Sequence, residues 1–201
     1  MANYKISLDR FIIENTRARN NDTVFVGIGA LVGDQTLGPV VKSMGNLNNG
    51  TFNVGLDVGP IQINPNTLVR ISYVLVNIGN KPKGDAENTV KSAISHNLTS
   101  AAVLLRAIGG KPSGSGSGGD DWWKKVIEEI IKAIPHIVGM LTANCDGPVA
   151  ADVIETTGAA IDANLGGTAK FEEERFYPGI DSPTGCGSNS KYKVRWNVQR
   201  V

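Results

Sequence analysis

Lys191-Tyr192-Lys193-Val194-Arg195-Trp196-Asn197-Val198-Gln199 is the stretch whose reading decides the fold. Tyr192, Val194, Trp196 and Val198 alternate strictly with Lys191, Lys193, Arg195, Asn197 and Gln199. A period of two puts the first set on one face of a strand and the second on the other. The segment therefore reads as a half-buried β-strand with one apolar face and one basic, wet face. A strand this near the C-terminus needs a partner that is already folded. Both ends of the chain are accordingly expected in one domain spanning residues 1–201.

The same period runs through the first 80 residues. Ile6 and Leu8 lead into Phe11–Ile13. Val24, Val26, Ile28, Ala30 and Val32 alternate with Phe25, Gly27, Gly29 and Leu31, and Phe52, Val54, Leu56 and Val58 alternate with Asn53, Gly55 and Asp57. Leu68–Ile78 is rich in β-branched residues. The separators are turn-formers: Asn20-Asn21-Asp22, Gly33-Asp34, Asn48-Asn49-Gly50 and Asn64-Pro65-Asn66. The intervals are too short for crossover helices, so an antiparallel sandwich is expected rather than a parallel sheet. Val149–Thr157 and Thr168–Tyr177 read as further strands.

The middle of the chain changes to a helical period. Val90, Ile94, Leu98, Ala101, Leu105 and Ile108 form one stripe, which predicts a helix over about 86–108 with Asp85 as its N-cap. A second helix is expected over about 121–142, where Trp123, Val126, Ile127, Ile130, Ile134, Ile137, Val138 and Leu141 make a broad apolar face; Pro135 should kink it. Between them Lys111-Pro-Ser-Gly-Ser-Gly-Ser-Gly-Gly119 is a flexible tether, native or engineered. The expected architecture is mainly β, an antiparallel β-sandwich carrying a helical insertion over 85–143.

Composition narrows the function. Lys and Arg total 20 against 19 Asp and Glu, so nothing draws the chain globally to nucleic acid. The hydrophobic fraction of 41% exceeds what a disordered chain carries. Two histidines, His96 and His136, both in helical segments, make poor general bases without a neighbouring nucleophile. Neither a phosphate loop, a His-Glu-x-x-His zinc site nor a Gly-x-Ser-x-Gly elbow occurs. Gly27, Gly29 and Gly33 lie inside a strand pattern with no following helix to hold a pyrophosphate. In Glu172-Glu173-Glu174 the outer two share a strand face and the middle one points away, which suits ion pairing with Lys191, Lys193 and Arg195 or an acidic hydrolytic site.

Three constellations are candidates for binding. If successive strands run up and down, the connections at 14–22, 45–50 and 79–85 share one end. They gather Glu14, Asn20, Asn21, Asp22, Asn48, Asn49 and Asp85. Oxygen-rich loops of this kind suit calcium, and the same residues are also good turn-formers. The second is the helix over 122–141, with Trp122, Trp123, Ile127 and Ile130 as a membrane or partner surface, or else packed on the sandwich. The third is the polar loop 177–190, pinned if Cys145 and Cys186 are bridged and free if both are thiols. Asn49-Gly-Thr and Asn97-Leu-Thr fit the glycosylation sequon. No secretory signal is visible at the N-terminus. The combined reading is a non-enzymatic extracellular binding protein that meets a protein, glycan or membrane surface. The alternative is a membrane-acting toxin of pore-forming type, and the third is a hydrolase. No cofactor other than calcium is expected.

Overall fold

The computed structural model describes residues 2–79, 81–107, 146–179 and 190–201. Among the described residues, eight strands and two helices follow in the order β1 (Ala2–Asn15), β2 (Asp22–Val32), β3 (Gln35–Leu47), β4 (Gly50–Ile63), β5 (Leu68–Asn77), α1 (Lys83–Ala107), β6 (Gly147–Thr157), α2 (Gly158–Leu165), β7 (Lys170–Pro178) and β8 (Lys191–Arg200). They form two four-stranded sheets, ordered β4-β1-β8-β7 and β3-β2-β5-β6, with every pairing antiparallel. The expected sandwich is present. The C-terminal strand β8 sits in the middle of its sheet, paired to β1 from Tyr4↔Arg200 to Asn15↔Lys191. Both chain ends thus meet at one end of the sandwich, where the Val201 amide donates to the Asn3 carbonyl at 2.9 Å.

The alternating positions supply the core. Ile6, Leu8, Phe11 and Ile13 of β1 and Tyr192, Val194, Trp196 and Val198 of β8 are buried from one sheet, and Val24, Val26, Ile28 and Ala30 of β2 from the other. The outer face of the β1–β8 sheet carries the charges as a ladder. Lys5 pairs with Asp57 at 3.2 Å, Lys193 with Glu14 at 2.5 Å, and Arg195 with Glu172 at 3.6 Å and Glu174 at 3.2 Å. Glu172 also pairs with Lys170, and this contact holds its carboxyl below the usual range. The acidic triplet is therefore divided as its strand period requires, and its outer members serve cross-strand pairing.

Helix α1 covers the outer face of the second sheet. Its buried stripe is Ala86, Val90, Ala93, Ile94 and Leu98, with Asn97 donating to Ser72 Oγ on β5 at 2.9 Å. The helix begins earlier than its sequence pattern suggests. The Pro82 carbonyl accepts from the amides of Asp85 at 3.0 Å and Ala86 at 3.1 Å. Pro82 presets the entry, so Asp85 lies in the first turn rather than at the cap, where its charge still favours the helix dipole. The expected helix over 121–142, with its Trp122, Trp123, Ile127 and Ile130, and the tether 111–119 lie outside the described residues.

The strand glycines now have a reason. A Cβ on Gly27 would stand 2.6 Å from Ile94 Cδ1 and 2.7 Å from Val90 Cγ1, and one on Gly29 would stand 2.8 Å from Ile94 Cγ2. Their absence lets the helix seat on the sheet. Gly27→Val will push α1 outward and cost roughly 1–3 kcal/mol by overpacking. Chemical denaturation measures the loss, and faster amide exchange along α1 is its local sign. A variant as stable as the wild type would show that the helix does not need the gap.

Helix α2 has no counterpart in the sequence reading. Thr157 caps it, accepting from the Ala160 amide at 3.3 Å, and Gly166 ends it in the left-handed conformation at φ 53°. It joins β6 to β7, the two strands along one open edge of the sandwich. Each such edge has a tie between the sheets. On the β3–β4 side Lys42 Nζ donates to the Val54 carbonyl at 2.7 Å. On the β6–β7 side Arg175 pairs with Asp152.

Candidate functional site

The strands do alternate in direction, so the loops expected to share an end do so. Ile13↔Gly50, Asp22↔Leu47, Val24↔Asn77, Asn77↔Gly147 and Asn15↔Lys191 all lie at this end. The β1–β2 and β3–β4 connections, the entry to α1 and the flanks of the 179–190 connection are thereby brought together. Asn20, Asn21, Asn46, Asn48, Asn49 and Asp85 are exposed there. At the start of α1 a depression of about 380 Å³ is lined, among the described residues, by Lys81 ahead of the helix and by Asp85, Asn88, Thr89 and Ser92 on its first turns.

Beneath these loops lies a buried hydrogen-bond frame. Asp22, fully buried, accepts from the amides of Arg17 and Ala18, both at 2.7 Å, and from the Tyr192 hydroxyl at 2.5 Å. Burial and the adjacent Asp22 charge raise the Tyr192 phenol far above its ordinary range. Asn77 accepts from the Thr23 amide at 2.7 Å, and Thr23 Oγ1 reaches Asn46 Oδ1 at 2.5 Å. Asp146, also buried, accepts from the Gly79 amide at 2.7 Å. Three buried acceptor side chains therefore fix the backbone of the β1–β2 connection, of Thr23 at the start of β2, and of Gly79 on the way to α1.

This frame alters the calcium expectation. Asp22 points inward to three donors, and Glu14 is engaged by Lys193. Among the described residues no three of His, Cys, Asp and Glu form a group able to hold a metal ion. The frame is a property of strand pairing, visible in sequence only as an Asp among turn-forming Asn residues. The two sequons also separate. Asn49 is exposed in the connection that crosses from β3 to β4 in the other sheet, while Asn97 on α1 is buried against β5. Cys145 and Cys186 lie outside the described residues. Among the described residues no helix is long and apolar enough to cross a membrane.

A second polar cluster lies at the β6–β7 edge, and sequence reading missed it. Asp152 on β6 has no exposed surface. It pairs with the Arg175 guanidinium on β7, accepts from Tyr73 Oη on β5 at 3.3 Å, and takes the Val153 amide at 2.8 Å. Arg175 Nε also donates to Glu173 at 2.7 Å, and the Tyr73 hydroxyl meets that of Tyr177. Burial pushes the Asp152 carboxyl up to about 6 against the opposing pull of Arg175. Burial alone would lower the guanidinium, but the Asp152 charge overcomes this and raises it. Both phenols are raised by burial. Glu173, the inward member of the acidic triplet, was the one available signal. Its partner Arg175 is two residues along the same strand, but the second partner of Arg175, Asp152, lies across the sheets, beyond any local spacing. No protein-family model matches this chain, and no curated protein matches it in sequence.

Proposed function

We propose that this chain is a non-catalytic extracellular binding module whose loop end meets a glycan-bearing surface. One observation carries the reading: the buried frame of Asp22, Asn77 and Asp146 holds the β1–β2 backbone, the foot of β2 and the entry to α1 in place, and Thr23 ties Asn46 to it, before any ligand arrives. Preorganised loops lose less entropy on binding. Their exposed groups are chiefly side-chain amides, at Asn20, Asn21, Asn46, Asn48 and Asn49. Each amide both donates and accepts, as sugar hydroxyls do. The 380 Å³ depression at the start of α1 adds Lys81, Asn88, Thr89 and Ser92 as further polar partners.

A glycan array probed with the labelled chain and with an Asn20→Ala/Asn48→Ala/Asn49→Ala variant tests this. Retention of the wild type, lost in a variant that melts at the same temperature, is the expected result. Equal retention of both would move the site elsewhere, and no retention on any glycan would remove the ligand class. For the extracellular part of the reading, thiol titration under denaturing conditions should find Cys145 and Cys186 unreactive; two reactive thiols would count against it.

A further inference from the structure

Asn49-Gly50 is the only Asn-Gly pair in the sequence. Asn49 is exposed and lies with Asn48 in the two-residue connection between β3 and β4. Both ends of that connection are anchored, Leu47 by pairing with Asp22 in one sheet and Gly50 by pairing with Ile13 in the other. The Asn49 amide donates to Asn48 Oδ1 at 2.8 Å, which engages the Asn48 side chain. No hydrogen bond among the described residues holds the Asn49 carboxamide itself. A Cβ on Gly50 would come 3.2 Å from Phe52 Cζ, so packing favours glycine there. A free carboxamide is thus followed by the one residue whose lack of a side chain leaves the next backbone nitrogen open to approach.

We infer that Asn49 is a self-modifying site, a clock in the loop end whose conversion from amide to carboxylate ends its binding. The second half rests on the glycan-binding role proposed for that end. The chemistry needs only water and hydroxide. Hydroxide takes the proton from the Gly50 backbone nitrogen, which attacks Asn49 Cγ. The new N–Cγ bond closes a cyclic imide, the Cγ–Nδ2 bond breaks, and Nδ2 leaves as ammonia with a proton from water, which regenerates hydroxide. Water then opens the ring. Attack at Cγ restores the original backbone and leaves aspartate. Attack at the Asn49 carbonyl carbon leaves isoaspartate, whose backbone runs through Cβ and Cγ and is longer by one carbon.

The fold selects this position. An Asp-Gly pair closes the same imide with loss of water, but in Asp146-Gly147 the carboxylate is buried and its Oδ1 is held by the Gly79 amide at 2.7 Å. Asn97 is buried as well, its Nδ2 donating to Ser72 Oγ at 2.9 Å. Asn20, Asn21, Asn46 and Asn48 are exposed, but the residues after them are Asn21, Asp22, Leu47 and Asn49, whose side chains crowd the attacking nitrogen. At position 49 the product changes more than one group. A side chain that donated and accepted becomes one that only accepts. Its charge arrives beside the end of β1 that carries Glu14, already paired with Lys193 at 2.5 Å. The extra carbon of isoaspartate falls in a two-residue connection that joins strands of different sheets.

The folded chain is incubated in mildly alkaline buffer and followed by intact and fragment mass. The wild type should gain about 1 Da, placed on residue 49, at a rate that rises in proportion to hydroxide. An isoaspartyl methyltransferase should label part of the product. Asn49→Gln, whose longer side chain closes a less favoured ring, should lose the gain. No gain at 49, an earlier gain at another residue, or a gain that persists in Asn49→Gln would overturn the site. Ion exchange then separates converted from unconverted chains of one aged sample, since the former carry an added negative charge. On the glycan array the unconverted fraction should be retained and the converted fraction should not. Equal retention of both would overturn the clock and leave the modification standing. An array that retains no fresh protein rejects the glycan reading and the clock with it, while the mass course still decides the modification.

Discussion

Arg175→Met will destabilise the fold by about 3–5 kcal/mol at neutral pH, the range for a buried ion pair that loses one partner. Asp152 has no exposed surface and would then have only Tyr73 and the Val153 amide beside it, so it must either stay charged without a counter-ion or take up a proton near neutral pH. The loss depends on pH in a definite direction. A carboxyl whose folded-state pKa lies above its unfolded value binds more protons when folded, so its contribution falls as pH rises. Even in the wild type, stability from this group declines as pH climbs from the ordinary 3.8 to about 6. Without the guanidinium the window moves higher, and the Arg175→Met defect should shrink on acidification as Asp152 takes its proton. Asp152→Leu/Arg175→Met should recover most of the loss, because an apolar pair of similar volume removes both desolvation costs. Urea denaturation across this pH range is the measurement. A neutral-pH loss below about 1 kcal/mol, the range of exposed pairs, would show that water reaches the site.

Asp22→Ala should cost about 4 kcal/mol. Three donors lose their acceptor inside the protein, at roughly 1–3 kcal/mol for each buried group left unsatisfied and less where water enters. The Arg17 and Ala18 amides and the Tyr192 hydroxyl are those donors. The damage should be largest at the β1–β2 connection, seen as accelerated amide exchange at 16–21 before the rest of β1 and β2 opens. Tyr192→Phe removes one of the three bonds and should cost only about 1 kcal/mol. If Asp22→Ala melts with the wild type, the frame does not hold the loops, and the binding proposal loses its carrying observation.

The strands were legible because one face of each is buried. Lys191–Gln199 could be read residue by residue, since a slip of one position would invert every side chain. Helix α1 was legible through Val90, Ile94 and Leu98, but its start was not, because Pro82 and not the acidic Asp85 opens it. Helix α2 was missed because its 8 residues are too few to show a period, although Thr157 and Gly166 mark its ends. The convergence of the loops followed from counting strand directions. Which of their side chains turn inward did not. Asp22 and Asn21 are both turn-formers in sequence, and only the pairing of β2 between β3 and β5 sends one inside and leaves the other in water. The Asp152–Arg175 pair spans two sheets and 23 residues, a distance no local pattern encodes.

The adjacency of Asn3 and Val201 also governs presentation. Both termini leave the sandwich together, at the end away from the exposed asparagines. A tag, a carrier or an immobilising linker at either terminus therefore hangs from the back of the molecule and leaves the loops facing outward. The two ends are near enough to be joined by a short peptide, and the exposed Asn48–Asn49 connection offers a place to open new ones. Such a permuted chain would be anchored from its loop side, the orientation in which a surface assay should fall silent if those loops are what touches the ligand.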